Sequence, residues 1–249
     1  MIYDLQKASL LKRASAWLLD VILLAVLACG FGMVLSSVTN YDQYVDALEA
    51  GYEKYETEYN IDFEDYTDLS EEEQARYDAA NAALQKDAEV LKAYNMVVNL
   101  SLTIVSLSIL LSYLGLEFAV PMVFGNGQTV GKKVFGIALM RVDGVKIAPL
   151  ALFVRTVLGK YTVETMIPAL VFMMMLMGTI GVIGPAILLA ILLTQVIMVF
   201  TSKNNSAIHD QMAATVAVDL ASQRIFDSPE ALMEYKKRVH AEQAQKETY

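Results

Sequence analysis

Ionisable side chains lie inside the apolar runs of this sequence, where a charge is costly. Asp20 follows Arg13 by seven residues in "RASAWLLDVILLAV", and Glu117 precedes Phe124 by seven residues in the next apolar run. A charged side chain at the centre of a bilayer span costs at least about 2.5 kcal/mol. Each carboxylate therefore requires a partner from elsewhere in the chain, and each is a candidate for binding an ion or a proton.

The later apolar runs contribute two more polar side chains at a matching depth. At about 1.5 Å of rise per residue, four side chains fall about 8 to 10 Å inside the inner membrane boundary: Asp20, Glu117, Glu164 and Gln195. We expect them to form one polar layer, with one side chain from each membrane helix. Carboxylate and amide oxygens suit a hard cation, and adjacent carboxylates in a low dielectric raise one pKa, so that a proton and a monovalent cation compete for the site.

The same residues also have a structural interpretation. Long basic side chains extend from the membrane interface along apolar surface and can pair with buried acids. In that alternative, Asp20 and Glu117 pair with Arg13, Arg155 or Lys160 and only hold the helices together. The sequence leaves both interpretations open.

The composition is that of a membrane protein. The 249 residues are 55% hydrophobic, and the mean hydropathy is +0.41, which is too apolar for an ordinary soluble domain. Four runs are long enough to cross a hydrocarbon core of about 20 apolar residues, and they are 14–36, 96–124, 161–178 and 180–200. No basic stripe suggests binding to nucleic acid. The fold class we predict is an all-α membrane protein with a bundle of four transmembrane helices.

Charge around the four runs predicts their orientation. Lys and Arg concentrate before the first run, between the second and third, and after the fourth, so these flanks are expected in the cytoplasm. Residues 39–92 contain 16 Asp and Glu against 4 Lys and Arg, and they are expected outside. The prediction is a multi-pass protein of a prokaryotic cell membrane with both termini in the cytoplasm.

Two regions outside the bilayer are expected to fold. Tyrosines at steps of three and four residues between Tyr41 and Tyr59, followed by a capping box at Ser70 and Glu73, predict an outer helical hairpin joined through "NIDFEDYTD". We expect its second arm to run into the second membrane helix without a break. A small β cap on the inner side is predicted from two segments, "VFGIALMRVDG" and "AATVAV", the first of which contains a type I′ turn at Asp143-Gly144. Ser228-Pro229 predicts the start of a C-terminal helix.

Other constellations do not support catalysis. "GNGQTVGKK" lacks the glycine and the hydroxyl residue of a phosphate-binding loop and follows a helix. His209 and Asp210 resemble an acid–base or metal pair, but His240 in the tail is the only other histidine, so a structural role at the interface is favoured. Cys29 is the only cysteine, which excludes an intramolecular disulfide and a cysteine-based zinc site. We expect no enzyme activity, no cofactor and no metal site.

Several of these segments resemble the RDD family of bacterial and archaeal membrane proteins. The family has an arginine at the start of its first membrane helix, an aspartate within that helix and a second aspartate after the last one, which correspond here to Arg13, Asp20 and Asp210. "GQTVGKKVFGIALMRVDG" and Arg155 match its central signature. Most members have no assigned activity, and a few are described as cation or sodium/proton antiporters. The long acidic segment 39–92 departs from the short connection usual in the family.

These observations predict four regions in the chain: 1–38 with the first membrane helix, 39–92 as the outer hairpin, 93–218 as the remaining membrane region, and 219–249 as a C-terminal helix and tail. The predicted function is a small monovalent cation/proton antiporter that acts as a homo-oligomer in the lipid bilayer. Asp20, Glu117, Glu164 and Gln195 would bind the cation or proton, and Arg13, Arg155, His209 and Asp210 would gate or anchor the inner mouth. The alternative is an accessory or scaffold protein that docks a partner through the outer hairpin or the C-terminal helix.

Overall fold

The computed structural model describes residues 5–64, 67 and 69–247. Four helices are long and apolar enough to cross a membrane, and their bounds are Leu10–Val38, Ala88–Phe124, Pro149–Leu176 and Ile183–Thr201. The predicted class, a mainly helical membrane protein with a small sheet, is therefore confirmed. The third helix begins twelve residues before the predicted start at 161, because Arg155, Thr156 and Lys160 interrupt the apolar sequence after its first turn.

Two of the four long helices change locally to π geometry. The second consists of α4 (Ala88–Tyr113), π1 (Leu114–Ala119) and α5 (Val120–Phe124). The third consists of α7 (Pro149–Phe153), π2 (Val154–Met166) and α8 (Ile167–Leu176). The first and fourth are α1 (Leu10–Val38) and α9 (Ile183–Thr201). π-helices are rare and occur frequently at functional sites.

The π segments contact each other through a buried hydroxyl group. Thr156 on π2 donates its Oγ1 hydrogen to the carbonyl oxygen of Glu117 on π1, at 2.9 Å. Within π2, Thr162 and Thr165 donate to carbonyl oxygens five residues earlier. These bonds satisfy backbone acceptors and fix the segment that carries Arg155 and Lys160.

The chain divides into two compact units, of which one comprises residues 1–27 and 109–249. Its core is an antiparallel pair of strands, β1 (Ile137–Arg141) and β2 (Thr215–Asp219), with Ile137 opposite Asp219. One face packs against Ala8 and Ala16, and the other packs against Leu5 and Ile225. The predicted β cap is thus present, and it anchors the first turns of α1.

The Asp143-Gly144 turn differs from the predicted type I′ hairpin. Among the described residues of the turn, only Gly144 has a positive φ, at 91°, whereas a type I′ turn requires two such residues. Gly144 N–H donates to the Arg141 carbonyl oxygen, and Arg141 N–H donates to that of Val145, as in a three-residue loop with a glycine bulge. The returning chain forms one bridge to β1, from Lys146 to Met140, and a parallel bridge from Val145 to Phe226.

Three further helices complete this unit. They are α6 (Val130–Val134), α10 (Ile208–Met212) and α11 (Pro229–Glu247). Thr129 caps α6 through its side chain. Ser228 Oγ accepts a hydrogen bond from the Ala231 N–H, which confirms the predicted start of the C-terminal helix.

The second unit, residues 28–108, contains the acidic hairpin. Its helices are α2 (Tyr41–Tyr59) and α3 (Glu71–Leu84), and the predicted capping box at Ser70 is present. Tyr55, Leu84 and Val90 form its buried core. Of the predicted connection "NIDFEDYTD", residues 65, 66 and 68 lie outside the described residues.

The prediction that the hairpin continues into the membrane helix without a break is wrong. α3 ends at Leu84, and α4 begins at Ala88. Asp87 Oδ1 accepts hydrogen bonds from the N–H groups of Glu89 and Val90, so that Asp87 starts a new helix. The helical periodicity is similar on both sides of this position, so the periodicity alone could not show the break.

Candidate functional site

A cavity of about 390 Å³ lies within the first unit. Charged and polar side chains from several helices line one part of it, and apolar side chains of α1 and α9 line another. The charged and polar lining residues are Arg13, Asp20, Glu117, Lys132, Arg155, Lys160, Glu164, Gln195 and His209. All four residues of the predicted polar layer therefore line one cavity. They do not all contact one another, because they bind different partners.

Asp20 is held by the turn that begins α6. Its Oδ2 accepts a hydrogen bond from the Thr129 hydroxyl at 2.5 Å, and its Oδ1 accepts one from the Gly131 N–H at 2.8 Å. A Cβ added to Gly131 would lie against the Ala16 carbonyl oxygen and 2.9 Å from Asp20 Cγ. The glycine thus permits the close approach of this loop to α1, and the loop that superficially resembles a phosphate-binding motif binds a carboxylate of the same chain.

Lys132 connects the two carboxylates that the sequence singled out. Its Nζ lies 3.6 Å from Asp20 Oδ2 and 3.6 Å from Glu117 Oε2, and it donates a hydrogen bond to Thr129 Oγ1 at 3.1 Å. The Lys160 ammonium group donates a hydrogen bond to Glu117 Oε1. Asp20, Glu117 and Lys132 are all less than a tenth exposed. An ammonium group therefore occupies the position between two carboxylates where a monovalent cation was expected.

The buried position of the Lys132 ammonium group favours loss of its proton. Burial, together with the positive charges of Lys160 and Arg155, lowers the pKa of Lys132 to about 8, against the opposing effect of Glu117 and Asp20. An ordinary lysine has a pKa of about 10.4. A modest rise in pH above neutrality can thus remove one positive charge from the cavity.

A second cluster is centred on Asp210. Arg155 donates to Asp210 Oδ1, and Arg13 NH2 lies 3.3 Å from Oδ2. Thr215 Oγ1 and the Ala207 N–H also donate to this carboxylate. Burial raises the pKa of Asp210, but Arg155, His209 and Arg13 outweigh that effect and hold it well below its usual range. Asp210 is fully buried, so it joins α1, π2 and α10 as a permanent anion.

Glu164 and Gln195 fix the start of α10. Glu164 accepts hydrogen bonds from both the backbone N–H and the Nδ1–H of His209, the latter at 2.8 Å. Gln195 Oε1 accepts the Ile208 N–H at 3.1 Å. Burial lowers the pKa of His209, and the Arg155 charge lowers it further. A neutral His209 must then carry its proton on Nδ1, because the carboxylate can only accept.

The ion pairs differ from those expected by the structural interpretation. Arg13 does not pair with Asp20 on its own helix but with Asp210, and Arg155 also pairs with Asp210. Of the three expected partners, only Lys160 contacts one of the two intramembrane acids. The sequence analysis did not identify Lys132 and Thr129 as partners of the acids, because it considered "GQTVGKK" as a phosphate motif and as part of the family signature. The sequence feature that could have identified Lys132 is the pair of adjacent lysines, Lys132 and Lys133, in the segment that follows the membrane helix carrying Glu117.

The charges around the cavity balance. Four carboxylates face four basic groups: Asp20, Glu117, Glu164 and Asp210 against Arg13, Lys132, Arg155 and Lys160. Arg155 Nε is buried and has no hydrogen-bond partner among the described residues. The described residues also contain no cluster of three or more His, Cys, Asp or Glu side chains arranged to hold a metal ion. A monovalent cation could therefore be held only after one basic group loses its charge or moves away.

A family model covers the part of the chain that contains the charged residues of these clusters. The model of the RDD family matches residues 7–214, which is most of the chain. The chain belongs to the RDD family. No curated protein and no solved structure matches it.

Within this RDD protein, the three residues that suggested the resemblance belong to two different clusters. Arg13 and Asp210 contact each other and belong to one cluster, whereas Asp20 binds the loop that begins α6. The RDD match ends at residue 214, so α11 lies beyond it.

Proposed function

We propose that this protein is a monovalent cation/proton antiporter in which Lys132 carries the exchanged proton. The observation that supports the proposal is the position of Lys132 Nζ, 3.6 Å from both Asp20 and Glu117 in a buried cluster. The ammonium group is a competitor for any cation that binds these two carboxylates. Loss of its proton leaves one uncompensated negative charge, which a sodium-like cation can neutralise.

The exchange follows from charge balance. When Lys132 is protonated, the cavity is neutral, and a further cation would have to enter against the ammonium group. When Lys132 releases its proton, Asp20 Oδ2 and Glu117 Oε2 become available as oxygen ligands of a hard cation. When the cation leaves, Lys132 regains a proton. One cation therefore moves in exchange for one proton, provided that the two sides of the membrane are reached alternately.

In this proposal the Asp210 cluster and the His209 contacts anchor the inner end of the bundle. Arg13, Arg155 and Asp210 hold α1 and π2 against α10, and Glu164 with Gln195 holds the start of α10. The orientation remains the one that basic flanks predict, with both termini in the cytoplasm of a prokaryotic cell. A homo-oligomer is part of the proposal, because four helices are few for a transporter.

Reconstituted vesicles test the proposal. Purified protein in liposomes with a trapped pH dye is exposed to an inward sodium gradient, and the expected result is proton efflux that raises the internal pH. Asp20→Asn is expected to abolish the flux. Asp219→Asn, which changes an exposed pair with Lys12, is the matched control and should retain it. Absence of sodium-driven flux from the unchanged protein contradicts the proposal.

The accessory or scaffold role is the second candidate. The observation in its favour is that each carboxylate around the cavity already has a basic or hydrogen-bonding partner. Such an arrangement is sufficient to lock helices together without cargo. Thermal unfolding with and without sodium between pH 6 and pH 9 separates the two, since a bound cation must stabilise the folded state. No sodium-dependent shift at any pH favours the scaffold.

A further inference from the structure

The cavity is larger and more apolar than a site for a metal cation alone requires. Its volume is about 390 Å³, within the range of about 300–1,000 Å³ that is typical of sites for organic ligands. A single water needs only about 10–15 Å³ by a comparable measure. The space beyond Asp20 and Glu117 therefore has room for a group much larger than a bare ion.

The apolar part of the cavity lies between α1 and α9. Its walls are side chains that cannot bind a metal cation: Leu10, Trp17, Val21, Leu24, Val199 and Phe200. Trp17 is 61% exposed and Phe200 is 67% exposed. Because exposed residues of both helices line the cavity, it reaches the lateral surface of the bundle, where hydrocarbon chains of the bilayer surround the helices.

The polar end is already shaped to receive an ammonium group. Lys132 reaches it through a flexible chain of four methylene groups and places Nζ between two carboxylates. An alkylammonium ion has the same head group and the same kind of apolar chain.

We propose that the cavity binds an amphiphilic organic ammonium ion, with its charged head at Asp20 and Glu117 and its alkyl chain in the gap between α1 and α9. This inference rests on the proposed cation/proton exchange and names a substrate class for it. The ligand takes the place of the Lys132 ammonium and enters from the bilayer through the lateral opening. Its apolar chain is buried against the wall residues, which a metal cation would not contact.

The charge requirement favours a cation over an anion of the same shape. Lys132, at the polar end, has a pKa that is lowered to about 8. It faces Asp20, Glu117 and Thr129, with Lys160 and Arg155 nearby. Its deprotonation leaves the cavity with one excess negative charge. Binding is therefore expected to be stronger at pH 8.5 than at pH 6.5.

Trp17 provides a direct readout, because it is the only tryptophan in the chain and lines the cavity. The full-length protein in lipid nanodiscs is titrated with a decyltrimethylammonium ion that carries bromine at the end of its alkyl chain. The expected result is saturable quenching of Trp17 fluorescence that excess unbrominated decyltrimethylammonium reverses. The same compound with a neutral hydroxyl head should quench only in proportion to its concentration in the bilayer.

Three variants locate the binding site. Glu117→Gln is expected to weaken binding at least ten-fold, and Val199→Phe, which fills the wall, should have an effect of similar size. Val182→Phe makes the same change at a position that is 87% exposed and does not line the cavity, and it should leave binding unchanged. Val199→Phe keeps the test valid if Glu117→Gln fails to fold.

The outcomes separate this inference from the proposed antiport. Saturable quenching without sodium-driven flux supports the organic ammonium site and contradicts the sodium exchange. Sodium-driven flux without saturable quenching supports the exchange and overturns the organic site. Saturable quenching by a brominated decyl sulfate, with none by the ammonium ion, also overturns the inference, because it assigns the cavity to an anion through groups such as Arg155.

Discussion

Lys132 places its ammonium nitrogen 3.6 Å from Asp20 Oδ2, deep in the first unit of the protein. The contact joins the loop after the second membrane helix to the middle of the first. It also explains how an acid can lie inside an apolar helix, because the charge is compensated and hydrogen-bonded there. The same nitrogen is equally close to Glu117, so one basic side chain compensates acids from two membrane helices.

Asp210 should be the most sensitive acid for stability. Asp210→Asn leaves Arg13 and Arg155 without their shared buried carboxylate, and removal of one partner of a buried ion pair costs about 3–5 kcal/mol. We expect a large fall in the unfolding free energy, measured by unfolding of the purified protein in detergent. Asp219→Asn, in the exposed pair with Lys12, should have a much smaller effect. Equal effects of the two changes would contradict the account of the Asp210 cluster.

Gly131 should not tolerate a side chain. Gly131→Ala places a Cβ against the Ala16 carbonyl oxygen and the Asp20 carboxylate, so the loop that begins α6 must move away from α1. We expect lower thermal stability and faster hydrogen exchange at residues 129–134. Gly30→Ala is the matched control, since nothing lies within 4 Å of its added Cβ and alanine favours a helix. A Gly131→Ala protein with unchanged stability would show that the contact is not needed.

Asp87 should make the acidic hairpin sensitive to acid. The N–H groups of Val90 and Glu89, followed by Lys54 and Tyr55, lower the pKa of Asp87 to about 2. Its contribution to stability is therefore present above about pH 4, the value in an unfolded chain, and is lost as the pH falls toward about 2. Hydrogen exchange of α2 and the start of α4, corrected for intrinsic rates, should show this loss.

A charge-removing substitution checks the assignment of the acid response to Asp87. Asp87→Asn should remove most of the change between pH 4 and pH 2, because the titrating group is gone. Asp46→Asn, an exposed position on α2, should retain it. If the hairpin of the Asp87→Asn protein loosens over the same pH range as before, another group is responsible.

The sequence was sufficient to predict the helical architecture and the polar residues of the membrane helices that line the cavity. Hydropathy located the four membrane helices, and helical rise placed Asp20, Glu117, Glu164 and Gln195 around one cavity. These features depend on the length and composition of each segment, and both can be read from the local sequence. The acidic helical hairpin and the β cap followed from a capping box and β-rich segments for the same reason.

The partners of those acids could not be predicted, because they depend on tertiary approach. Lys132 meets Asp20 only because Gly131 allows the loop to contact α1. The π geometry of residues 154–166 leaves no simple period in the sequence, yet it sets which side of the helix carries Arg155 and Lys160. The pairing of Arg13 with Asp210, at opposite ends of the family match, likewise depends on the fold.

The role of Lys132 as the source of the exchanged proton is tested most directly by proton release on sodium binding. Sodium is added to weakly buffered purified protein at pH 6.5, where Lys132 with a pKa of about 8 is protonated, and a pH dye reports the protons released. The unchanged protein should release one proton per sodium bound. Lys132→Met should bind sodium without releasing a proton, and Lys132→Arg, which keeps a permanent positive charge, should not bind it. Proton release that persists in Lys132→Met, or sodium binding by the unchanged protein without any release, would contradict the account.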